Sequence, residues 1–367
     1  MNTPLKIVVD QNMPGIDHLF SGIAEIIRAD GRCISVETLK DADALLCRSI
    51  TRVNSKLLQN SKVKFVGTAT IGTDHLDTNW LESNNIHWSN AAGCNAAAVA
   101  QYVLSAIAFW CKSTNRDIHH LTIGIVGAGN VGTELARCLD ILNIKYLLCD
   151  PPLKKAGHHS SLVEMKDVIK CDVVTLHVPI IRQGVHSTHH LVSADILSLL
   201  GKNQLLINSS RGSVVDNRAL YEYLDQPNHA HVVLDVYEDE PNVSRFFLEQ
   251  TLIATPHIAG HTLEGKLRGS WMIYRAFCHA FGLKETRAEC DLYPPSNEIT
   301  LKTEDLADQL LLIYDIHADS DRLKKQNDNS IASHFDMLRK VATQLPNGRV
   351  RRDYSGWSFR GGNSLAL

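Results

Sequence analysis

The stretch Leu121-Thr-Ile-Gly-Ile-Val-Gly-Ala-Gly-Asn-Val-Gly-Thr-Glu-Leu-Ala-Arg137 decides how this chain folds. Its first six residues are an apolar, β-branched run of strand length. Gly127, Gly129 and Gly132 then spell G-x-G-x-x-G, and Val131, Leu135, Ala136 and Leu139 recur at helical spacing. Each glycine has a physical task. Gly127 permits a sharp turn, Gly129 brings no side chain that would hold a pyrophosphate away from the backbone, and Gly132 lets the helix lie close on the strand. The unpaired N–H groups at the helix start, at Asn130 and Val131, and the helix dipole favour a phosphate there.

Eighteen residues after Gly132, a second strand, Lys145-Tyr-Leu-Leu-Cys149, ends in Asp150. A carboxylate at that point accepts hydrogen bonds from a ribose diol and repels a 2′-phosphate, which predicts NAD rather than NADP. The competing reading, a glycine-rich turn in some other α/β sheet, leaves Asp150 without a task.

The bulk properties bound the partners. A chain of 367 residues can form two or three domains around substantial cores. A net charge of −3 gives no electrostatic footprint for nucleic acid or an anionic membrane. Met1 to Asp10 runs into an apolar strand without a signal-peptide pattern, so a cytoplasmic protein is expected. The apolar stretch Ala91 to Cys111 is interrupted by Asn95 and Gln101, and it reads as a buried helix rather than a membrane span. Nine cysteines without a C-x-x-C pair argue against a disulfide framework and against a zinc ribbon. His257, His261 and Glu264 invite a metal reading, but Pro256 and Gly260 interrupt the helix that i, i+4 ligation needs; no metal is expected.

Strands and helices alternate along most of the chain, which predicts a doubly wound parallel sheet. Residues 1–93 give strands at Ile7–Val9, Ala44–Cys47 and Lys64–Gly67, with a helix expected over 16–28. A long helix from Ala96 leads into the dinucleotide fold. Beyond Asp150, strands are expected at 172–178, 204–208, 231–235 and 252–255, with a helix near 194–200. Their carboxyl ends carry small polar tips, where open sheets of this class bind ligands. At about residue 290 the composition changes. Asp291-Leu-Tyr-Pro-Pro-Ser296 resembles a linker, helices are expected over 306–314 and 334–341, and a basic turn covers 347–353. This tail reads as an appended interaction module.

Three residues at strand ends could perform chemistry: Arg211, Glu240 and His257. Moving a hydride between a nicotinamide and a 2-hydroxy acid needs a cation for the carboxylate and a base for the hydroxyl proton. Arginine suits the first task through its planar, permanently charged fork. Histidine suits the second because it titrates near neutrality. A carboxylate beside the imidazole fixes its tautomer and favours the protonated form.

Together with the glycine motif, Asn208-Ser-Ser-Arg-Gly212, Leu234-Asp-Val-Tyr-Glu-Asp-Glu-Pro241 and Thr255-Pro-His-Ile-Ala-Gly260 resemble the successive signatures of the D-isomer-specific 2-hydroxyacid dehydrogenases, over roughly residues 5–285. The resemblance implies two Rossmann-like parallel-sheet domains and a small C-terminal α+β dimerisation module. The substrate domain would be discontinuous, 1–93 and 257–290, with an NAD-binding domain at 94–256 and the module at 291–367. It implies that Arg211 anchors the substrate carboxylate and that His257, supported by Glu240, is the acid/base. It also implies that Asp150, Thr175, Ser209, Ser210, Arg211, Asp235 and Gly260 join the glycine loop around NAD, and that Ser49 and Thr70 bind substrate. Further stretches, Ile7 to Pro14, Cys47-Arg-Ser-Ile-Thr51, Thr68 to His75 and Phe335-Asp-x-Leu-Arg339, resemble a branch of the family that acts on a phosphorylated acid. Arg48 is then a candidate for the phosphate. Arg349, Arg351 and Arg352 would join it if the tail of one subunit of a homodimer reaches the other's cleft. One departure is His261, where the resemblance leads one to expect tyrosine, so a substrate contact there is expected to differ. Other members of the family, and a non-catalytic NAD sensor on the same fold, are the alternatives.

Overall fold

A computed structural model describes residues 4–157, 161–345, 347–361 and 367. The chain divides into two compact units: one contains the residues up to Asn95 and Leu263–Pro295, the other Ala96–Thr262 and the residues from Ser296 onward.

The first unit holds a five-stranded parallel sheet built from β1 (Leu5–Asp10), β2 (Ala24–Ala29), β3 (Ala44–Cys47), β4 (Phe65–Thr68) and β5 (His87–Asn90), in the order β2-β1-β3-β4-β5. Ile7, Val8 and Val9 in β1 are fully buried, as a central parallel strand requires. Each such side chain contributes about 1.5–3 kcal/mol by leaving water. The returning helix Leu263–Ala280 packs on one face, where Phe20 and Phe65 meet Tyr274 and Phe277 edge to face at 5.1–5.9 Å. The helix expected over 16–28 is only Ile16–Phe20. The chain turns at Gly22, whose φ is +76°, and the β-branched pair Ile26-Ile27 enters β2 beside β1. An apolar run with polar gaps suits either period, and pairing with the exposed edge of β1 decided it.

In the second unit β6 (Thr122–Val126), β7 (Lys145–Cys149), β8 (Val173–Leu176), β9 (Leu205–Asn208), β10 (His231–Leu234) and β11 (Ile253–Ala254) form a parallel sheet in the order β11-β10-β9-β8-β6-β7. The long helix Ala96–Thr114 is buried continuously from Ala98 to Ala108 in the core beside it. Although its length and composition would let it cross a membrane, it is the central core helix of this unit.

The domain limits differ from those expected. The first crossing falls at 95/96 and the return at 262/263, because the Thr255–Thr262 segment is hydrogen-bonded to residues of the second unit. The segment from Ser296 onward makes no core of its own. Leu306, Leu310, Ile313 and Tyr314 join the cluster around Ala96–Thr114, while Leu323, Ile331, Phe335 and Leu338 join the cluster on the sheet's other face. Its helices are Leu306–Ile313, Ile316–Lys324 and Ile331–Lys340, the middle one not foreseen, and β12 (Asn297–Thr300) pairs in parallel with β13 (Trp357–Arg360).

Candidate active site

The glycine loop follows β6, which lies between β7 and β8, so it sits where the strand order reverses. Gly127 has a φ of +101°, closed to side chains, and a Cβ on Gly132 would lie 1.9 Å from the Gly127 carbonyl oxygen. Both glycines are therefore required by the turn itself. Gly129 is different, since a Cβ there would meet no atom within 4 Å, and it opens the helix Asn130–Ile141 onto free space. A pyrophosphate fits that gap, facing the N–H groups of Asn130 and Val131.

Asp150 closes the loop from the side. One carboxylate oxygen accepts from Ala128 N at 2.9 Å and the other from Leu153 N at 3.1 Å. A carboxylate has about four acceptor positions, so lone pairs remain for ribose hydroxyls. Two buried polar atoms at neighbouring strand ends find no hydrogen-bond partner among the described residues: Ser209 Oγ beyond β9 and His177 Nδ1 beyond β8. At the ends of strands that flank the glycine loop, such atoms are available to a bound ligand. The residues present thus fit NAD. His177 was not foreseen; its signal was a histidine at the carboxyl end of the strand Asp172 to Val178. Burial pushes it down to about 3, so it is neutral, and its Nε2 is paired with Thr175 Oγ1 at 2.9 Å. Thr175 itself is fully buried inside β8 and meets the loop region through His177 rather than by presenting its hydroxyl.

The three residues singled out for chemistry leave adjacent strands β9, β10 and β11 at their carboxyl ends. Beyond β9, Ser210 is 8 % exposed and its Oγ donates to Asn208 Oδ1 at 2.9 Å, while Asn208 Nδ2 donates to the Arg211 carbonyl at 3.0 Å. The next residue, Gly212, lies so close to the Tyr237–Glu238 peptide that a Cβ would come within 2.0 Å of it. Glycine is what allows the Arg211 loop to touch the loop that carries Glu240. His190 links the same two loops, its backbone N–H donating to Ser213 O and its Nε2 lying 2.6 Å from Glu238 Oε1.

Glu240 reaches His257 Nδ1 at 2.8 Å through one oxygen and accepts from Tyr237 N at 2.9 Å through the other. Burial alone would raise the Glu240 carboxyl; the His257 charge, the bond to its ring and the Tyr237 N–H outweigh this and hold it below its usual range. His257 adopts the left-handed region, φ +56°, which is costly for a residue with a side chain. Asp235 explains how this is held. Its carboxylate accepts from Thr255 Oγ1 at 2.6 Å, Ile258 N at 2.7 Å and Ala259 N at 2.9 Å, and its carbonyl accepts from His257 N at 2.7 Å. With 1 % exposure, Asp235 builds the histidine turn. Gly260 and His261 follow directly on that turn, His261 N donating to Ile258 O at 2.9 Å.

In the first unit, Arg48 and Ser49 follow β3. Arg48 holds Asp10 through Nε at 3.0 Å and Nη2 at 3.2 Å, which matches its charge within the unit, and Ser49 is exposed. Thr70 Oγ1 joins Thr68 Oγ1 at 2.8 Å, which in turn meets His75 Nε2 at 2.9 Å. The tail arginines do not form an outward cluster. Arg349 is half-buried and stacks on Trp357, whereas Arg351 and Arg352 are 1 % and 3 % exposed, so the expected reach into a second subunit is not the task of these last two.

Residues 101–259 match the family model described as D-isomer specific 2-hydroxyacid dehydrogenase, NAD binding domain. The erythronate-4-phosphate dehydrogenase of Marinobacter nauticus is 43% identical over 349 residues, covering 92% of this chain and 91% of that protein. That of Photorhabdus laumondii is 42% identical over 343 residues, with the same shares covered. The chain belongs to the erythronate-4-phosphate dehydrogenase family. It is an NAD-dependent 2-hydroxyacid dehydrogenase. Among solved structures, NAD+-bound 3-phosphoglycerate dehydrogenase of Entamoeba histolytica superposes with a TM-score of 0.65 at 20% identity, covering 76% of this chain and 96% of that one. D-lactate dehydrogenase of Aquifex aeolicus, complexed with NAD and lactic acid, gives 0.57 at 22% identity, covering 76% and 96%. At such identities the likeness is one of fold.

Proposed function

We propose that the chain oxidises erythronate 4-phosphate at C2 to 2-oxo-3-hydroxy-4-phosphobutanoate, a step in pyridoxal 5′-phosphate formation. The observation that carries the mechanism is the His257–Glu240 pair at 2.8 Å, held at the strand ends beside the Arg211 loop in the unit with the open glycine turn. Asn130, Val131 and Asp150 would hold NAD along that turn, where its nicotinamide would supply the hydride acceptor. Glu240 accepts from Nδ1–H of His257, which leaves Nε2 as the basic nitrogen for the substrate hydroxyl proton. As the proton arrives, the imidazolium gains a carboxylate partner already in place, so little reorganisation is needed. In this reading Arg211 anchors the substrate carboxylate, and Ser49, Thr70, Arg48 and His261 are the further substrate contacts. Arg48, paired with Asp10, would meet the phosphate as an oriented donor rather than as an isolated cation.

The same reading includes a homodimer in a reducing compartment such as the cytoplasm. Leu312, Met337 and Val350, large apolar side chains left exposed in the C-terminal segment, support the first, and nine free cysteines support the second. Sedimentation tests the dimer.

The activity is tested with the purified chain, NAD and three acids, erythronate 4-phosphate, 3-phosphoglycerate and D-lactate, with a 2-oxo acid added to reoxidise NADH that does not leave. The expected outcome is a kcat/KM for erythronate 4-phosphate about a hundredfold or more above the others, since buried groups shaped for one substrate reject its analogues by such factors. A preference for 3-phosphoglycerate, or NADH binding without turnover of any acid, overturns the proposal.

A further inference from the structure

Among the described residues Arg351 is the most deeply buried arginine, 1 % exposed, and nothing in the reaction above uses it. Its guanidinium donates from Nη1 to Ile258 O at 2.8 Å, from Nη2 to Ala259 O at 2.9 Å and Ala98 O at 3.1 Å, and from Nε to Gln101 Oε1 at 3.3 Å. Its plane lies over the Tyr314 ring at 3.8 Å. The two carbonyls that it grips belong to the residues immediately after His257. The N–H groups of those same residues point the other way, into the Asp235 carboxylate. The Ile258–Ala259 peptide is therefore held between a buried anion on its donor side and a buried cation on its acceptor side, and the peptides before and after it are each gripped at one end. This explains how a histidine stays at a φ of +56° without mobile neighbours. Gln101 completes the clamp by donating to Arg352 O at 2.8 Å, so that the arginine's own backbone is fixed to the long helix.

We propose that Arg351 is a positioning residue for the acid/base histidine, gripping the Ile258 and Ala259 carbonyls so that His257 is presented in one orientation, and that the C-terminal segment is thereby part of the catalytic apparatus. A guanidinium suits the task because its rigid fork satisfies several acceptors at fixed angles; an ammonium is a point charge and cannot. Without it, the buried Ala259 carbonyl loses its donor, the Ile258 carbonyl keeps only His261 N–H, and the turn relaxes. A shift of about 1 Å in a reacting group costs on the order of a hundredfold in rate.

The inference rests on His257 being the acid/base, and the test separates the two. R351M, R351K and Q101M are compared with the wild type for kcat, KM, NADH affinity and amide hydrogen exchange at residues 257–261. R351M is expected to lose about thirtyfold in kcat, within the cost of such a displacement, with NADH affinity changed by no more than about threefold and faster exchange at Ile258 and Ala259. R351K is expected to recover part of the rate, and Q101M to show a smaller loss in the same direction. A purely structural role would lower the melting temperature and leave kcat per folded molecule unchanged. Folded R351M with kcat within twofold of wild type overturns the proposal. If R351M does not fold, R351K and Q101M both within twofold do the same. A wild-type chain that turns over no 2-hydroxy acid would sink the assigned reaction instead, whereas silent variants of an active chain sink only the clamp.

Discussion

The two parallel sheets present equivalent crevices and fill them differently. In each, one strand is flanked by partners reached in opposite directions, β1 by β2 and β3, β6 by β7 and β8, and the space beyond its carboxyl end is where such folds admit ligands. Beyond β1 that space is closed by Asp10, fully buried and held by Arg48 from the end of β3 and by Asn12 N at 2.8 Å. Beyond β6 it is left open by Gly129, with Asp150 set to one side. Backbone topology thus offers two nucleotide crevices, and the residues at the strand tips decide which one is used. The first sheet spends its charges on itself; the second leaves polar atoms unpaired.

The sharpest way to break this comparison is to ask whether the chemistry resides wholly at the tips of the second sheet. His257→Gln is expected to lower kcat by about 10³ and Glu240→Gln by about 10², because a general base is worth roughly 10²–10⁴ and its orienting partner part of that. NADH affinity should be unchanged in both. Ser49→Ala, at a tip of the first sheet, should raise KM by no more than about tenfold and leave kcat nearly intact, as the loss of one hydrogen bond to bound substrate does. Steady-state kinetics with direct NADH titration checks all three; a kcat loss at Ser49 as large as that at Glu240 would mean that the division of labour is wrong.

Much of this was legible in the chain. The strand-glycine-helix succession at 121–137 placed the nucleotide crevice, and Arg211, Glu240 and His257 do leave neighbouring strands, with the last two paired as expected. What escaped was everything set by contacts distant in sequence. Ile16 to Arg28 is equally compatible with a helix or a helix and a strand, and only the free edge of β1 resolves it. Asp235 looks like a cofactor ligand by position, and its second task, organising a turn twenty residues later, could not be read from the chain. Arg351 reads as part of a basic surface run, and its partners lie about 90 and 250 residues away. Charge runs reveal nothing of burial when the cavity that receives them is built elsewhere.

A pair of substitutions, one in each crevice, sharpens the contrast further. A Cβ at Gly129 meets no protein atom within 4 Å and Gly129 is not in the left-handed region, so Gly129→Val should fold, losing no more than about 1 kcal/mol at this helix N-cap, while NADH affinity falls by about tenfold or more, the isopropyl group standing where the pyrophosphate approaches. Arg48→Met should do the opposite: NADH affinity stays, and stability drops by about 2 kcal/mol because the buried Asp10 carboxylate loses two charged donors at a partly exposed pair. Urea unfolding and fluorescence titration of NADH measure the two. If Gly129→Val binds NADH as wild type does, the open turn is not the phosphate site.

The last contrast concerns the orphaned atoms of the open crevice. His177 titrates near 3 in the fold against an ordinary 6.5, because burial opposes its charge. A histidine with a depressed pKa binds its proton first in the unfolded chain, so the native state is at full advantage above pH 6.5 and loses ground as pH falls from 6.5 towards 3. Glu240, also held low, adds a loss at more acid pH, but it is present in any variant of His177 and cancels in a difference. His177→Asn removes this titration while keeping a polar side chain at the strand end. The stability difference between wild type and His177→Asn, from urea midpoints at pH 7.5, 6, 5 and 4, should therefore move steadily against the wild type with acidification. A difference that stays constant across that range would mean His177 is solvated and charges freely, and that the second crevice is wetter at β8 than its buried nitrogen implies.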